Sequence, residues 1–378
     1  MGQGVYRIQF CGGDCVFWPS LKATTWLGKA WRWPKFIGQF MDEKEITDLV
    51  LIGDWRPLHH EAVLLAKSRG RKVWVYEEGY LRPGFVTLEE GGVNATSSLP
   101  KTAAQVRLRA LQLQDTPPIL PSKATNPMIG RVLSTAWHHV GNFFLWPYFH
   151  NYRTHRPYCI GHELLGLIPR YFGRVIRRKN SINVLREVLR RKVPFYFMPL
   201  QLDSDSQIRR YSPFTGVLDS LALVIINFAA HAPKDSVLLI KNHPLDNGLI
   251  NYRRYIRSLG QATGCGSRLR FVEGVNNSTI IDFCQAVVLC NSTLGLTALQ
   301  HGRAVFCLGE SIYAMPGLAV NSLEMPLDKF WTNPRPPDAN LVQDFVQVLT
   351  HDALVPGNFY SETGIEDAVA ASLTRMGI

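Results

Sequence analysis

VLLIKNHPLDNG, residues 237–248, reads as an apolar strand that runs into a polar turn locked by Pro244. Side chains alternate faces along a strand, so Lys241 and His243 fall on the same side where the apolar run ends. Two cationic or hydrogen-bonding groups then share one mouth. The same grammar recurs through the second half. Strand-like FYFMPL (195–200), SVLLIK (236–241), LRFVEG (269–274), AVVLCNS (286–292) and AVFCLG (304–309) alternate with helical SLALVIINFAAHA (220–232) and LGLTALQHG (294–302). Strands alternating with helices predict a parallel sheet.

The first half repeats the pattern. VYRIQF (5–10), DLVLIG (48–53) and KVWVYEE (72–78) are short apolar, β-branched or aromatic runs, and HHEAVLLAKSRG (59–70) has helical spacing that stops at Gly70. DTPPILPSKATNP (115–127) is a proline-rich connector. It leads into aromatic and then basic helical stretches from Arg131 to Lys192, among them the core-like RVLSTAWHHV. The expected fold class is α/β and GT-B-like, two Rossmann-like domains facing a central cleft. Residues 1–190 would form the acceptor domain with the basic, aromatic helical insertion, and residues 191–378 the nucleotide-sugar domain with C-terminal helices. Functional groups at the carboxyl ends of the strands would line the cleft.

At 46% hydrophobic and 19% charged residues the chain is not of disordered type. No apolar run approaches the roughly 18 residues of a membrane-spanning helix, and the start lacks the pattern of a secretory signal, so a cytoplasmic protein is expected unless a surface attaches it to a membrane. Seven scattered cysteines without a C-x-x-C pair argue against a disulfide framework and a structural zinc site, and read as reduced, mostly buried thiols. The net charge of +11 is concentrated: residues 151–192 hold eleven Arg and Lys against Glu163 and Glu187. A solvated helix face, contact with anionic lipid and contact with nucleic acid are all open readings of that segment. FWPSLKATTWLGKAWRWPKF (17–36) sets Trp18, Trp26, Trp31 and Trp33 among basic residues with no acid, the composition of an interfacial anchor, with an aromatic core helix as the weaker alternative.

Four loops could carry chemistry. In KNHP, Lys241 and His243 suit an anion. In CNSTLGLTALQHG (290–302), Asn291, Ser292 and Thr293 stand between a buried strand and a helix, where they can meet a phosphate or simply cap the helix. PLQLDSDSQIRRYSPF (199–214) carries Gln201, Asp203 and Asp205 with Arg209 and Arg210; its carboxylates can serve as nucleophile or base, or can cap the next helix. YEEGYLRPGFVTLEEGG (76–92) has Glu77 and Glu78 leaving a buried strand, where Glu78 or Glu77 can be a general base, or one of them the partner of Arg82 in a salt bridge. No glycine-rich P-loop, G-x-G-x-x-G or H-E-x-x-H occurs, which argues against a nucleoside triphosphate or nicotinamide cofactor.

GGDCVFWP (12–19), YEEGYLRPGFVTLE (76–89), PLQLDSDSQI (199–208), KNHP (241–244), NSTLGLTAL (291–299) and LVPGNFYSE (354–362), in this order, resemble the bacterial capsule polysaccharide β-Kdo transferases of the KpsS/LipB type. The resemblance implies a GT-B enzyme that transfers Kdo, an eight-carbon acidic sugar, from CMP-β-Kdo with retention, without cofactor or metal. It implies a phosphatidylglycerol-type lipid acceptor at the inner face of the cytoplasmic membrane, where the product starts the linker of a capsule. A second Kdo transferase and the capsule ABC exporter are the partners it suggests. By resemblance the nucleophile is Asp205, with Asp203 in reserve, and Lys241, His243, Asn291, Ser292 and Thr293 hold the CMP phosphate. Glu78 is kept as a catalytic carboxylate, and Gln201, Glu77 and Arg82 as substrate-loop residues. Members of the family are expected to begin with a further strand and loop before the stretch matching GVYRIQFCGGD, whereas three residues precede Gly4 here. The rival readings are a GT-B transferase or epimerase using a UDP-sugar, a non-catalytic scaffold for capsule export, and, from charge alone and with no recognised motif, a nucleic-acid binder.

Overall fold

The computed structural model describes residues 4–18, 23–125, 128–154 and 160–378. Its chain separates into two compact units, one of Met1–Ser98, Ile119–Pro157 and Ala353–Ile378, the other of Leu99–Pro118 and Tyr158–Asp352. The sequence was expected to divide once, between 190 and 191; the chain passes between these units at four places, after residues 98, 118, 157 and 352.

The first unit opens with β1 (Ile8–Gln9), α1 (Gly12–Phe17), β2 (Thr24–Thr25), α2 (Trp33–Glu43), β3 (Asp48–Ile52), α3 (Pro57–Ser68), β4 (Lys72–Glu78) and β5 (Phe85–Glu90). The chain then gives α4 (Ala103–Gln112) to the second unit, α5 (Met128–Phe144) to the first and α6 (Ile160–Arg190) to the second. The second unit continues with β6 (Phe195–Pro199), α7 (Ser206–Tyr211), α8 (Val217–His231), β7 (Val237–Lys241), α9 (Tyr252–Ala262), β8 (Leu269–Val272), α10 (Asn277–Ile281), β9 (Ala286–Leu289), α11 (Leu294–Gln300), β10 (Ala304–Cys307), β11 (Val320–Asn321), α12 (Leu327–Phe330) and α13 (Ala339–Ala353). Finally β12 (Leu354–Pro356) and α14 (Glu362–Met376) return to the first unit.

The second unit's sheet is parallel throughout, in the order β11-β10-β9-β6-β7-β8. Every residue of β6, β7, β9 and β10 is buried. Continuous apolar runs are what a sheet covered on both faces requires. On one face Val224, Ile225 and Phe228 of α8 pack with Leu238 and Ile240, and Trp331 meets Tyr196 edge to face at 4.9 Å. The chain enters at β6, builds outward through β7 and β8, then crosses back to place β9 on the other side of β6. The order reverses between β6 and β9, and a crevice opens outside strand ends at such a switch point.

The first unit departs from the parallel sheet expected of it. Its four-stranded sheet has the order β12-β5-β4-β3, in which only β3 and β4, joined through α3, run parallel; β1 and β2 form a separate two-stranded parallel pair. β4 and β5 form an antiparallel pair, and so do β5 and β12. The spacing explains this. Six residues, Gly79–Gly84, separate β4 from β5, half of what a parallel crossover needs at least, so the chain turns back on itself. A Cβ at Gly79 would collide with the Phe85 carbonyl, so this turn closes on a residue without a side chain.

The tryptophan-rich segment divides. Trp33 is buried with Ile37, Met41 and Val63, and Trp26 packs on it at 5.5 Å, whereas Trp18 and Trp31 are exposed. The aromatic-core reading therefore accounts for two of the four. RVLSTAWHHV, expected as core, is corrected more fully: Val132, Leu133, Trp137 and Val140 are exposed. The thiols of Cys11, Cys265, Cys284, Cys290 and Cys307 are buried and free, and Cys15 is half-buried and free. Lys22, Arg156 and Cys159 lie outside the described residues, and the side chain of Glu163 is not described. No helix among the described residues is long and apolar enough to cross a membrane.

Candidate functional site

The ends of β6, β7 and β9 bring together most of the residues singled out in the sequence. Pro199 at the end of β6 is paired in register with Lys241 at the end of β7, and the Leu200 amide donates to the Lys241 carbonyl at 2.8 Å. Gln201 therefore begins its loop beside Lys241. Its Nε2 donates to Asn291 Oδ1 at 3.0 Å and to Asp205 Oδ2 at 3.3 Å, while its Oε1 accepts from the Asn291 amide at 3.2 Å. One amide side chain thus spans the switch point, from the loop after β6 to the loop after β9. Asn291 carries the brace onward, donating to the carbonyls of Gln207 at 2.9 Å and Tyr211 at 3.4 Å.

Both aspartates cap helices. Asp205 is the N-cap of α7, with Oδ1 accepting from the Gln207 amide at 2.9 Å. With Oδ2 turned to Gln201, both of its oxygens accept from N–H donors, the arrangement of an ionised carboxylate. Asp203 Oδ1 accepts from the Val217 amide at 3.2 Å, at the start of α8, and Arg209 lies 3.5 Å from Oδ2. The capping alternative raised by the sequence is thus realised, and a capping carboxylate is also a fixed one.

Lys241 is 6% exposed, and burial holds its ammonium down at about 8. Among the described residues no carboxylate lies within ion-pair distance of it, and no opposing charge restores its usual value. A cation buried without a counter-charge is costly unless something supplies one. His243 is half-buried; its Nδ1 accepts the Leu245 amide at 3.1 Å, which leaves the proton of the neutral ring on Nε2. Ser292 Oγ accepts the Leu294 amide at 3.3 Å, and its carbonyl accepts from the Tyr313 hydroxyl at 2.5 Å. Thr293 is the N-cap residue of the seven-residue α11 but makes no side-chain cap bond.

Beneath this shelf lies a network that the sequence reading missed. Asn242 Nδ2 donates to Asp246 Oδ2 and to Glu273 Oε1, each at 3.1 Å, and its Oδ1 accepts the His243 amide at 2.9 Å. Arg170 stands 2.7 Å from Asp246 and 3.3 Å from Glu273, with Arg177 and Arg253 also on Glu273. The two acids respond in opposite senses. Burial raises Asp246 despite Arg170; burial also pushes on Glu273, but the hydrogen bonds from Arg253 and Asn242 and the charge of Arg170 prevail and lower it. Two arginines of the basic segment are thus committed to acids inside the protein. The overlooked signal was LRFVEG, whose glutamate leaves β8 beside the strand that ends in KN.

Glu77, Glu78 and Arg82 belong to the first unit. Glu78 accepts from Arg131 and from the Tyr360 hydroxyl at 2.6 Å on Oε1, with Arg82 at 3.5 Å from Oε2, so the salt-bridge alternative is present and larger than expected. Glu77 Oε1 accepts the amide of Glu78 at 3.0 Å. Below them Glu89, 2% exposed, accepts from Tyr80 at 2.8 Å and from Ser97. Burial and the Glu89 charge push the Tyr80 phenol well up. No group of three or more potential metal ligands is gathered among the described residues.

Residues 47–360 match the family described as capsule polysaccharide biosynthesis protein. The chain is 31% identical over 349 residues to the capsule polysaccharide export protein KpsS of Escherichia coli, covering 91% of this chain and 87% of that protein. It is 31% identical over 376 residues to the capsule polysaccharide modification protein LipB of Neisseria meningitidis serogroup B, covering 96% and 86%. Among solved structures it is similar to the KpsC β-Kdo 2,7 transferase of Thermosulfurimonas dismutans, at 17% identity and a TM-score of 0.44, over 92% of this chain and 90% of that one.

Proposed function

We propose a function from one premise: this chain belongs to the capsule polysaccharide biosynthesis protein family. We read it as a glycosyltransferase that moves Kdo from CMP-β-Kdo to a phosphatidylglycerol-type lipid with retention, peripheral at the inner face of the cytoplasmic membrane, starting the linker of a capsular polysaccharide. The observation that carries this reading is Lys241, a buried ammonium at a strand end beside the switch point, with no anion among the described residues to balance it. A nucleotide phosphate would supply the missing charge.

In the first displacement a carboxylate oxygen of Asp205 bonds to the anomeric carbon as the bond from that carbon to the phosphate oxygen breaks, and CMP leaves with the electron pair. Lys241 and the Nε2 proton of His243 stabilise the charge that gathers on the leaving phosphate. In the second displacement the acceptor hydroxyl oxygen takes the anomeric carbon, its proton leaves to base, and the Asp205 carboxylate departs. Two inversions give retention. Gln201 holds Asp205 in register with the loop after β9, so it positions the nucleophile. Glu78 is engaged by Arg82, Arg131 and Tyr360, and a base role requires it to exchange at least one of them.

The test is incubation of the protein with CMP-Kdo, generated in place, and lysophosphatidylglycerol, with the lipid read by mass. A gain of one Kdo is expected, reduced by about 10³-fold or more in Asp205→Ala. Full activity in Asp205→Asn would remove the nucleophile assignment. Thermal protection by UDP but not CMP would move the donor to the UDP-sugar class, and no turnover with any donor would favour an export scaffold.

A further inference from the structure

α5 is inside out. Its apolar positions recur at helical spacing, Ile129, Val132, Leu133, Trp137, Val140 and Phe143, and all six are exposed, from 40% at Val140 to 74% at Phe143. A stripe at this spacing ordinarily faces a core. Here the opposite face is the buried one. Gly141 is buried against Gly12 of α1, each glycine's missing Cβ making room for the other's carbonyl. Asn142 Oδ1 accepts the Gly13 amide at 2.9 Å, and Arg131 reaches inward to Glu78. The close crossing with α1 uses up the small and polar side, and the apolar side has only the outside left.

We propose that the exposed stripe of α5 is a docking surface for an anionic phospholipid bilayer. Charge complementarity selects this occupant. No Asp or Glu occurs between residues 116 and 162, nor between 15 and 41, the segment that Asn151 ties back through the Leu27 carbonyl at 2.8 Å. Exposed cations do occur there: Lys29, Arg32, Lys35 and Arg153. Phe144 at the end of α5 and Trp146 and Tyr148 beyond it are also exposed, and amphipathic rings such as the last two settle at the level of lipid head groups. An amphipathic helix lying in the interface, with cations nearby for lipid phosphates, uses these elements together. The anchor that the sequence placed over residues 17–36 shifts largely to α5, because Trp33 and Trp26 are spent in the core. This inference rests on the lipid-directed reading above for its purpose, but vesicle binding needs no donor, so the two can fail separately.

The full chain would be sedimented with vesicles of phosphatidylcholine alone and of phosphatidylcholine mixed with phosphatidylglycerol. Binding is expected to the mixed vesicles, weakened by salt, and at least about tenfold weaker in Trp137→Glu/Phe143→Glu, whose circular dichroism and thermal midpoint stay unchanged because both positions are exposed. In brominated vesicles part of the tryptophan fluorescence is quenched on binding, and Trp137→Phe reduces that part while binding persists. Equal binding of wild type and the double variant overturns the proposal, as does absence of binding by the wild type. A wild-type dimer that the double variant disperses, without vesicle binding, overturns it in favour of a second copy of the chain. Vesicle binding without Kdo transfer leaves the docking surface standing and removes the enzymatic reading; transfer to a detergent-dispersed acceptor without vesicle binding does the reverse.

Discussion

At the end of β7 a charged side chain lies inside the protein, and along α5 a row of apolar side chains lies outside it. Both reverse the usual radial order, for different reasons. Lys241 is buried because the sheet that carries it is covered on both faces and the strand ends at a crevice. α5 turns its apolar side out because Gly12 and Gly141 let α1 approach only on the small, polar side. Burial is thus decided by what can come close. Hydrophobicity states a preference that a close backbone contact can overrule.

The largest effect that would sharpen this contrast is expected at the network under the strand ends. Glu273→Ala leaves Arg170, Arg177 and Arg253 without their shared acid, and breaking a buried charge cluster in this way costs about 3 kcal/mol or more, read by urea denaturation. Lys241→Met is expected to act in the other direction. Burial lowers the ammonium from 10.5 to about 8, so its removal stabilises the fold at neutral pH by about 3 kcal/mol while CMP binding is lost. The sign follows from proton counting. Between about pH 8 and 10.5 the unfolded chain holds more protons at this lysine than the folded one, so the lysine's own contribution to wild-type stability rises with pH through that window. The penalty is complete below it and absent above it, so the stability difference between Lys241→Met and the wild type should close across the window. CMP affinity, which needs the charged form, should fall above about pH 8 in titration calorimetry. Should Lys241→Met destabilise the protein, the ammonium has a partner in solution and the contrast fails. The smallest effect is expected on α5: Ile129→Gln, 69% exposed in the wild type, should change stability by no more than about 0.5 kcal/mol. A loss several times larger would mean that the stripe is covered within the chain.

The second unit was largely legible because its strands are buried on both faces and announce themselves as unbroken apolar runs; VLLIK and AVFC were placed to within a residue or two of where they fall. β5 and β12 were not read. Their partners lie across a short turn and at the far end of the chain, and local pattern carries neither pairing, although the six-residue spacing after KVWVYEE excluded a parallel continuation. Within the candidate site, strand-end position brought Asp205, Lys241 and Asn291 into view, and Gln201 came with the family resemblance. Asn242, Asp246 and Glu273 escaped because each looks like an ordinary turn residue until β8 is set beside β7. On α5 the periodicity was correct and the direction was reversed, since the deciding fact is a pair of glycines about 130 residues apart, and glycine has no periodicity to read.

β12 pairs with β5 only after the whole parallel sheet of the other unit has been made, because the chain crosses back to the first unit at residue 353. On a translating ribosome that delay is on the order of tens of seconds at ordinary elongation rates. During it the nascent first unit presents β5 as an open sheet edge, the kind of edge that other chains can join. The six-stranded sheet, begun later, has all of its strands as soon as β11 emerges. Synthesis therefore starts with one unit and completes the other first, and a holding chaperone would find its work at β5.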